Sequence, residues 1–109
     1  MSIYDMIKNA LTPLAIPVFP LFYAGQEKTY AVIHQLTSYP AQSADDREQV
    51  TAYLMQVDLV SNTDIQELVE TATNLLTDAG FSRRSRHDEY DEKLGMYRFI
   101  IRAAYFEEV

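Results

Sequence analysis

Apolar positions recur with a helical period at the start of the chain. Ile3, Met6, Ile7, Ala10, Leu11 and Leu14 fall on one face, which predicts a short helix over residues 2 to about 13. Ser2 stands where an N-cap belongs, and Pro13 ends the helix or lies just past it. The next stretch, Ile16-Pro17-Val18-Phe19-Pro20-Leu21-Phe22-Tyr23, is apolar but broken by two prolines. Proline removes a ladder donor, so the pattern predicts an extended, edge-like arm over about 16–25 rather than a central strand. Thr29 to about Tyr39 is rich in β-branched and aromatic residues and predicts a strand. A polar loop, Pro40 to Asp46, separates it from a second strand over Arg47 to about Val60. In that strand Tyr53, Met55, Val57 and Leu59 share one face, while Gln56 and Asp58 lie on the other. The two strands predict an antiparallel hairpin.

From Asn62 to Ala79 the period returns to 3.6. Ile65, Leu68, Val69, Ala72, Leu75, Leu76 and Ala79 form one stripe, Ser61 or Asn62 is placed to cap it, and Gly80 is placed as the C′ residue. Phe81 to about Tyr90 predicts a polar strand, and Glu92 to Gly95 a turn. Met96 to Phe106 predicts a last strand, with Tyr97, Phe99, Ile101, Ala103 and Tyr105 on one face and Arg98 and Arg102 on the other. The order is α-β-β-α-β-β. The expected fold is a single α+β domain over residues 1–109: an antiparallel, four-stranded sheet covered on one face by a long helix, with a short N-terminal helix.

Composition narrows the function more than it changes the fold. The 109 residues are 48% hydrophobic and 23% charged, a globular balance, and no apolar run is long enough to span a membrane. The chain has no cysteine, which excludes disulfides and thiolate metal sites and fits a reducing compartment. The first stretch lacks the build of a signal peptide. A formal charge of −7 disfavours general binding to phosphate backbones. The charge is uneven, however. Arg83, Arg84 and Arg86 form a basic strip on an otherwise acidic body. Such a division suits contacts with other copies of the chain or with an acidic partner.

Candidate chemistry is sparse. His34 shares parity with Tyr30 and Val32 and reads as structural. His87 is followed by Asp88, Glu89, Asp91 and Glu92, but the spacing matches no EF-hand or zinc motif and reads as a solvated turn. There is no nucleophile elbow, and three glycines do not build a phosphate-cradling loop. No catalytic residue, cofactor or metal is expected, and the chain is read as a protein-binding component rather than an enzyme. The candidate interface residues are Arg83, Arg84 and Arg86, with strand alternation placing Arg84 and Arg86 on one face and Arg83 on the other, and the hairpin loop residues Asp45, Asp46, Arg47 and Glu48. Tyrosine, present eight times, is enriched at interfaces, but several of these belong to the core and the count decides little.

The ordered set of blocks resembles the tail-completion proteins of long-tailed bacteriophages and prophages, also called tail terminators or tail-to-head joining proteins. It comprises the N-terminal helix with Ile16-Pro17-Val18-Phe19-Pro20; the strand pair with Tyr30–His34 and Thr51–Leu59; the helix end Leu75-Leu76-Thr77-Asp78-Ala79-Gly80-Phe81; and Met96–Arg102 behind its acidic run. The resemblance covers about Ile3 to Ala104. It implies a hexameric ring at the head–tail junction of the virion, made in the bacterial host cytoplasm. Its partners would be its own copies, the tail-tube protein and the head connector or head-completion protein, with no membrane and no sequence-specific nucleic acid. A head-completion or connector-adjacent phage protein and a small non-phage bacterial adaptor are the alternatives.

Overall fold

The computed structural model describes residues 2–23, 25–44 and 47–108. Helix α1 spans Ile3–Ala10 and buries Ile3 and Ile7. Ser2 caps it as the sequence predicts, its Oγ accepting the Asp5 N–H at 3.1 Å. A 3-10 turn, Thr12–Leu14, carries Pro13 near its start, where the missing N–H costs nothing. Strands β1 (Val18–Pro20), β2 (Thr29–Ala44) and β3 (Arg47–Ser61) follow. Helix α2 (Gln66–Asp78) then leads to β4 (Ser82–Asp91) and β5 (Met96–Glu108).

The fold is mostly β and differs from the expected α+β arrangement of a four-stranded antiparallel sheet covered by a long helix. The sheet has five strands in the order β1-β2-β3-β5-β4, and β1 runs parallel to β2 while every other pair is antiparallel. Strand dominates, and the two helices are short. The extra strand comes from the proline-broken arm. Pro17 supplies a carbonyl to Ala31 N–H at 2.9 Å, and Leu21 N–H reaches Ile33 O at 2.8 Å. The backbone alternates, so Pro20 turns its donorless nitrogen to the outer edge, where a ladder loses nothing. Two prolines therefore exclude a central strand but leave an edge strand possible.

Two other boundaries move. The predicted loop over Pro40 to Asp46 is largely strand: β2 runs on to Ala44, and Pro40 sits opposite Thr51 within the ladder. Asp45 and Asp46 lie outside the described residues. Helix α2 is shorter than predicted at its start. Ser61 stays in β3, bonded to Thr29 Oγ1 at 2.9 Å, and Asp64 Oδ1 instead accepts the Gln66 N–H at 3.2 Å. Its C-terminus closes as the Gly80 signal predicts. Gly80 takes φ 99°, its N–H bonds Thr77 O, and Phe81 N–H bonds Leu76 O. This is a Schellman closure, completed by buried Phe81 and Leu76.

One core lies between the helices and one face of the sheet. It joins Ile7 and Leu11 to Ala31, Ile33, Met55, Val57, Leu59, Phe99 and Ile101, with Val69, Ala72 and Leu76 from α2. The face parities read from β3 and β5 are those observed. The long hairpin β2–β3 sets the shape. A strand of 15 or 16 residues at about 3.3 Å each is close to 50 Å long, and the molecule measures 52 × 26 × 24 Å. Its distal half extends past the helices, and residues 35–42 are all exposed.

Candidate functional site: the open sheet face

The helices cover one face of the sheet and leave the other uncovered. Cross-strand register assigns its residues. His34 stands opposite Gln56, Gln56 opposite Arg102, Asp58 opposite Ile100, and Phe106 opposite Ala52. His34, Gln56, Asp58 and Arg102 cross three strands as a connected polar row. Arg102 Nε donates to Gln56 Oε1 at 3.1 Å, Gln56 Nε2 donates to Asp58 Oδ1 at 2.9 Å, and His34 Nε2 lies 3.7 Å from Asp58 Oδ2. Asp58 is only 7% exposed, although it points away from the core. A carboxylate held that far from water needs such partners.

The arm after β1 supplies part of its cover. Leu21 takes φ 71°, and Phe22 N–H bonds Pro20 O at 2.8 Å, which makes a strained positive-φ γ-turn. This corner sends Tyr23 onto the sheet, where its ring stacks on Tyr30 at 3.7 Å and Phe19 meets it edge-on. Lost hydration, then the hydrogen bond from its hydroxyl to the Glu27 carboxylate, raises the Tyr23 pKa above its usual value. Leu21 and Phe22 themselves remain outside, 60% and 68% exposed.

The far half of the open face is apolar and basic. Leu54, Ala52 and Ala104 pave it, and Phe106 is 44% exposed. Arg84 lies over the Phe106 ring with Cζ 5.5 Å from the centroid, a cation–π contact. Arg102 is exposed beside it. A groove of about 460 Å³ occupies the opposite end, lined by Tyr30, Val60, Tyr90, Leu94 and Arg98 together with acidic residues of the β4–β5 turn. Among the described residues no group of three or more His, Asp or Glu side chains is arranged to hold a metal.

The arginine strip does not act as one unit. A bulge between Arg83 and Ser85 shifts the β4 register by one residue. Arg84 is therefore delivered to the open face, while Arg83, opposite Ala103, and Arg86, opposite Ile101, share the covered side. This overturns the placement of Arg84 and Arg86 on a common face, because one extra residue inverts strand parity. Arg86 is internally engaged: it pairs with Glu70 and donates to Gln66 Oε1 at 2.9 Å, tying α2 to β4. Arg47 is exposed at the start of β3. Glu48 pairs with Ser43 in the ladder, but its side chain, like all of Asp45 and Asp46, lies outside the described set. The open-face row was not nominated from sequence. The signal was present, since alternation puts Gln56, Asp58 and Arg102 off the core face, but joining them required the inter-strand register.

No family model and no curated protein sequence matches the chain. A solved structure does. The fold is similar to that of a chain in the virion of a native gene transfer agent particle. The TM-score is 0.64 at 14% identity, and the match covers 97% of this chain and 96% of that one. At that identity the likeness concerns the fold alone.

Proposed function

We propose that this chain is a structural component of a phage-like particle, and within it a tail-completion protein. It forms a ring on the end of the tail tube, stops tube growth and presents the surface that joins the head connector. The observation that carries the reading is the likeness of fold to a virion chain over nearly the whole of both chains. The open face supports it. A sheet with one face uncovered, apolar ground at Leu54 and Phe106 and fixed arginines suits a protein whose work is contact. The same reading assigns the chain no catalytic residue and no cofactor, and places it at the head–tail junction of the virion.

The test mixes the protein with polymerising tail-tube protein from the same genome and scores tube length and end density by negative-stain microscopy. Capped tubes of restricted length are expected. Tubes that grow unchanged with bare ends overturn the tail assignment and direct the search to the head side of the junction.

A further inference from the structure

Two patches on opposite faces of this molecule carry opposite charge. From Asp64 to Asp78, the covering helix and its lead-in hold Asp64, Glu67, Glu70 and Asp78 and no lysine or arginine. Glu70 is engaged by Arg86, but Glu67 and Asp78 are exposed. They lie with Thr71 and Asn74 along one outer stripe at helical spacing, 67, 71, 74 and 78. The open sheet face presents Arg84 over the exposed Phe106 ring and Arg102 four residues before it on β5. Of the acids on that face, Asp58 is held by Gln56 beside His34, Glu89 contacts His87, and Asp91 lies at the far end of β4; Glu108 borders the patch two residues beyond Phe106.

We infer that the open face around Phe106, Arg84 and Arg102 docks the outer stripe of α2 from a second copy of this chain. Like patches repel, since Arg84 would meet Arg84 or Glu67 meet Glu67. Front against back brings opposite charges together and places Phe106 against the stem carbons of the α2 stripe. Such a contact is heterologous, uses both faces of every copy, and closes into a ring when the rotation between neighbours permits. Pairing of sheet edges is the competing geometry, and both edges oppose it. The free edge of β2 contains Pro40, which lacks a donor, and β4 is lined with charged side chains. The inference rests on the reading that the protein works as an assembly of its own copies. It adds which surfaces meet.

The absence of native cysteine makes a clean test possible. Ser85 and Thr71 are exposed, uncharged, and lie on the open face and the α2 stripe respectively. Under mild oxidation, a mixture of Ser85→Cys and Thr71→Cys proteins is expected to give the mixed disulfide dimer several-fold over either homodimer. The double variant is expected to give a ladder of multimers. Arg84→Glu with Arg102→Glu on the Ser85→Cys chain should return cross-linking to background. Adding Glu67→Lys with Asp78→Lys to the Thr71→Cys partner should restore it. Circular dichroism on each variant verifies folding, and all these positions are at the surface. A statistical mixture of dimers, or charge reversal without effect, overturns the proposed contact. Tube capping by the wild-type protein separates the two readings. Capping without mixed disulfides leaves the terminator assignment and removes this interface; mixed disulfides without capping do the reverse.

Discussion

The two faces of one sheet are built from the same strands and are put to different use. On the covered face Met55, Val57, Leu59, Phe99 and Ile101 are at most 2% exposed and close-packed against two helices. On the open face the same strands alternate to Gln56, Asp58 and Arg102, linked by hydrogen bonds to each other and lying near His34. The first face is organised by apolar area, which has no direction. The second is organised by polar partners, which have strict geometry. A strand that puts these two chemistries on alternate residues tells which side makes the fold and which side is left for contact. Folding free energy should therefore be concentrated on the covered face and assembly on the open one.

The largest expected effect is on the covered face. Phe99 is fully buried between β5 and the helices, and Phe99→Ala should cost about 3–5 kcal/mol, since it removes the ring and leaves a cavity. Urea titration followed by circular dichroism measures it; a loss under about 1 kcal/mol would mean the helix-covered side is not where stability resides. The next effect crosses to the open face. Asp58→Ala removes the acceptor of the Gln56 amide and should cost about 1.5–3 kcal/mol, as expected for a hydrogen bond to a charged group. Asp58→Asn keeps an acceptor and should recover most of it. If Asp58→Ala proves as damaging as Phe99→Ala, the open face is a second core and the division of labour fails.

Much of the covered face was legible in the sequence, because it is written in periodicity. The period of two in Tyr53–Leu59 and Tyr97–Tyr105, the helical stripe from Ile65 to Ala79, and the Ser2 and Gly80 caps all sit where they were read. What was not legible depends on partners distant in sequence. The parallel pairing of Val18–Pro20 with Ala31–Ile33 is decided by which side of a strand its prolines face. The continuation of β2 through Pro40 depends on β3 lying beside it. The bulge at Arg83/Ser85 inverts the parity of the arginine strip without any glycine to announce it. The polar row of the open face needed the register of three strands, so its members were visible singly and not as a group.

A smaller effect tests how firmly the helix layer is closed onto the sheet. Gly80 adopts φ 99° at the Schellman turn, and a methyl there would approach Tyr105 Cε2 at 3.4 Å. Gly80→Ala should cost about 1–2 kcal/mol through the left-handed backbone. The stability loss should appear in thermal melts without altering the size of the assembled species, because Gly80 lies on neither docking surface. A change in assembly size with unchanged stability would show that the helix end belongs to the contact after all.

The smallest expected effect on stability is the one that divides the faces most sharply. Phe106 is 44% exposed, and the Arg84 guanidinium lies above its ring. Phe106→Ser gives up that contact and the part of the side chain that is buried, so the urea midpoint should correspond to a loss of about 1 kcal/mol. Sedimentation velocity across a concentration series should nevertheless show the variant shifted toward monomer relative to wild type, because an exposed aromatic in an apolar patch contributes most when a partner desolvates it. Phe99→Ala should do the reverse, reducing the folded fraction while the molecules that remain folded associate normally. A Phe106→Ser protein that is markedly destabilised, or one that associates like wild type, would break the comparison at its weakest joint. The first outcome would make the open face part of the fold, and the second would leave it without a partner among its own copies.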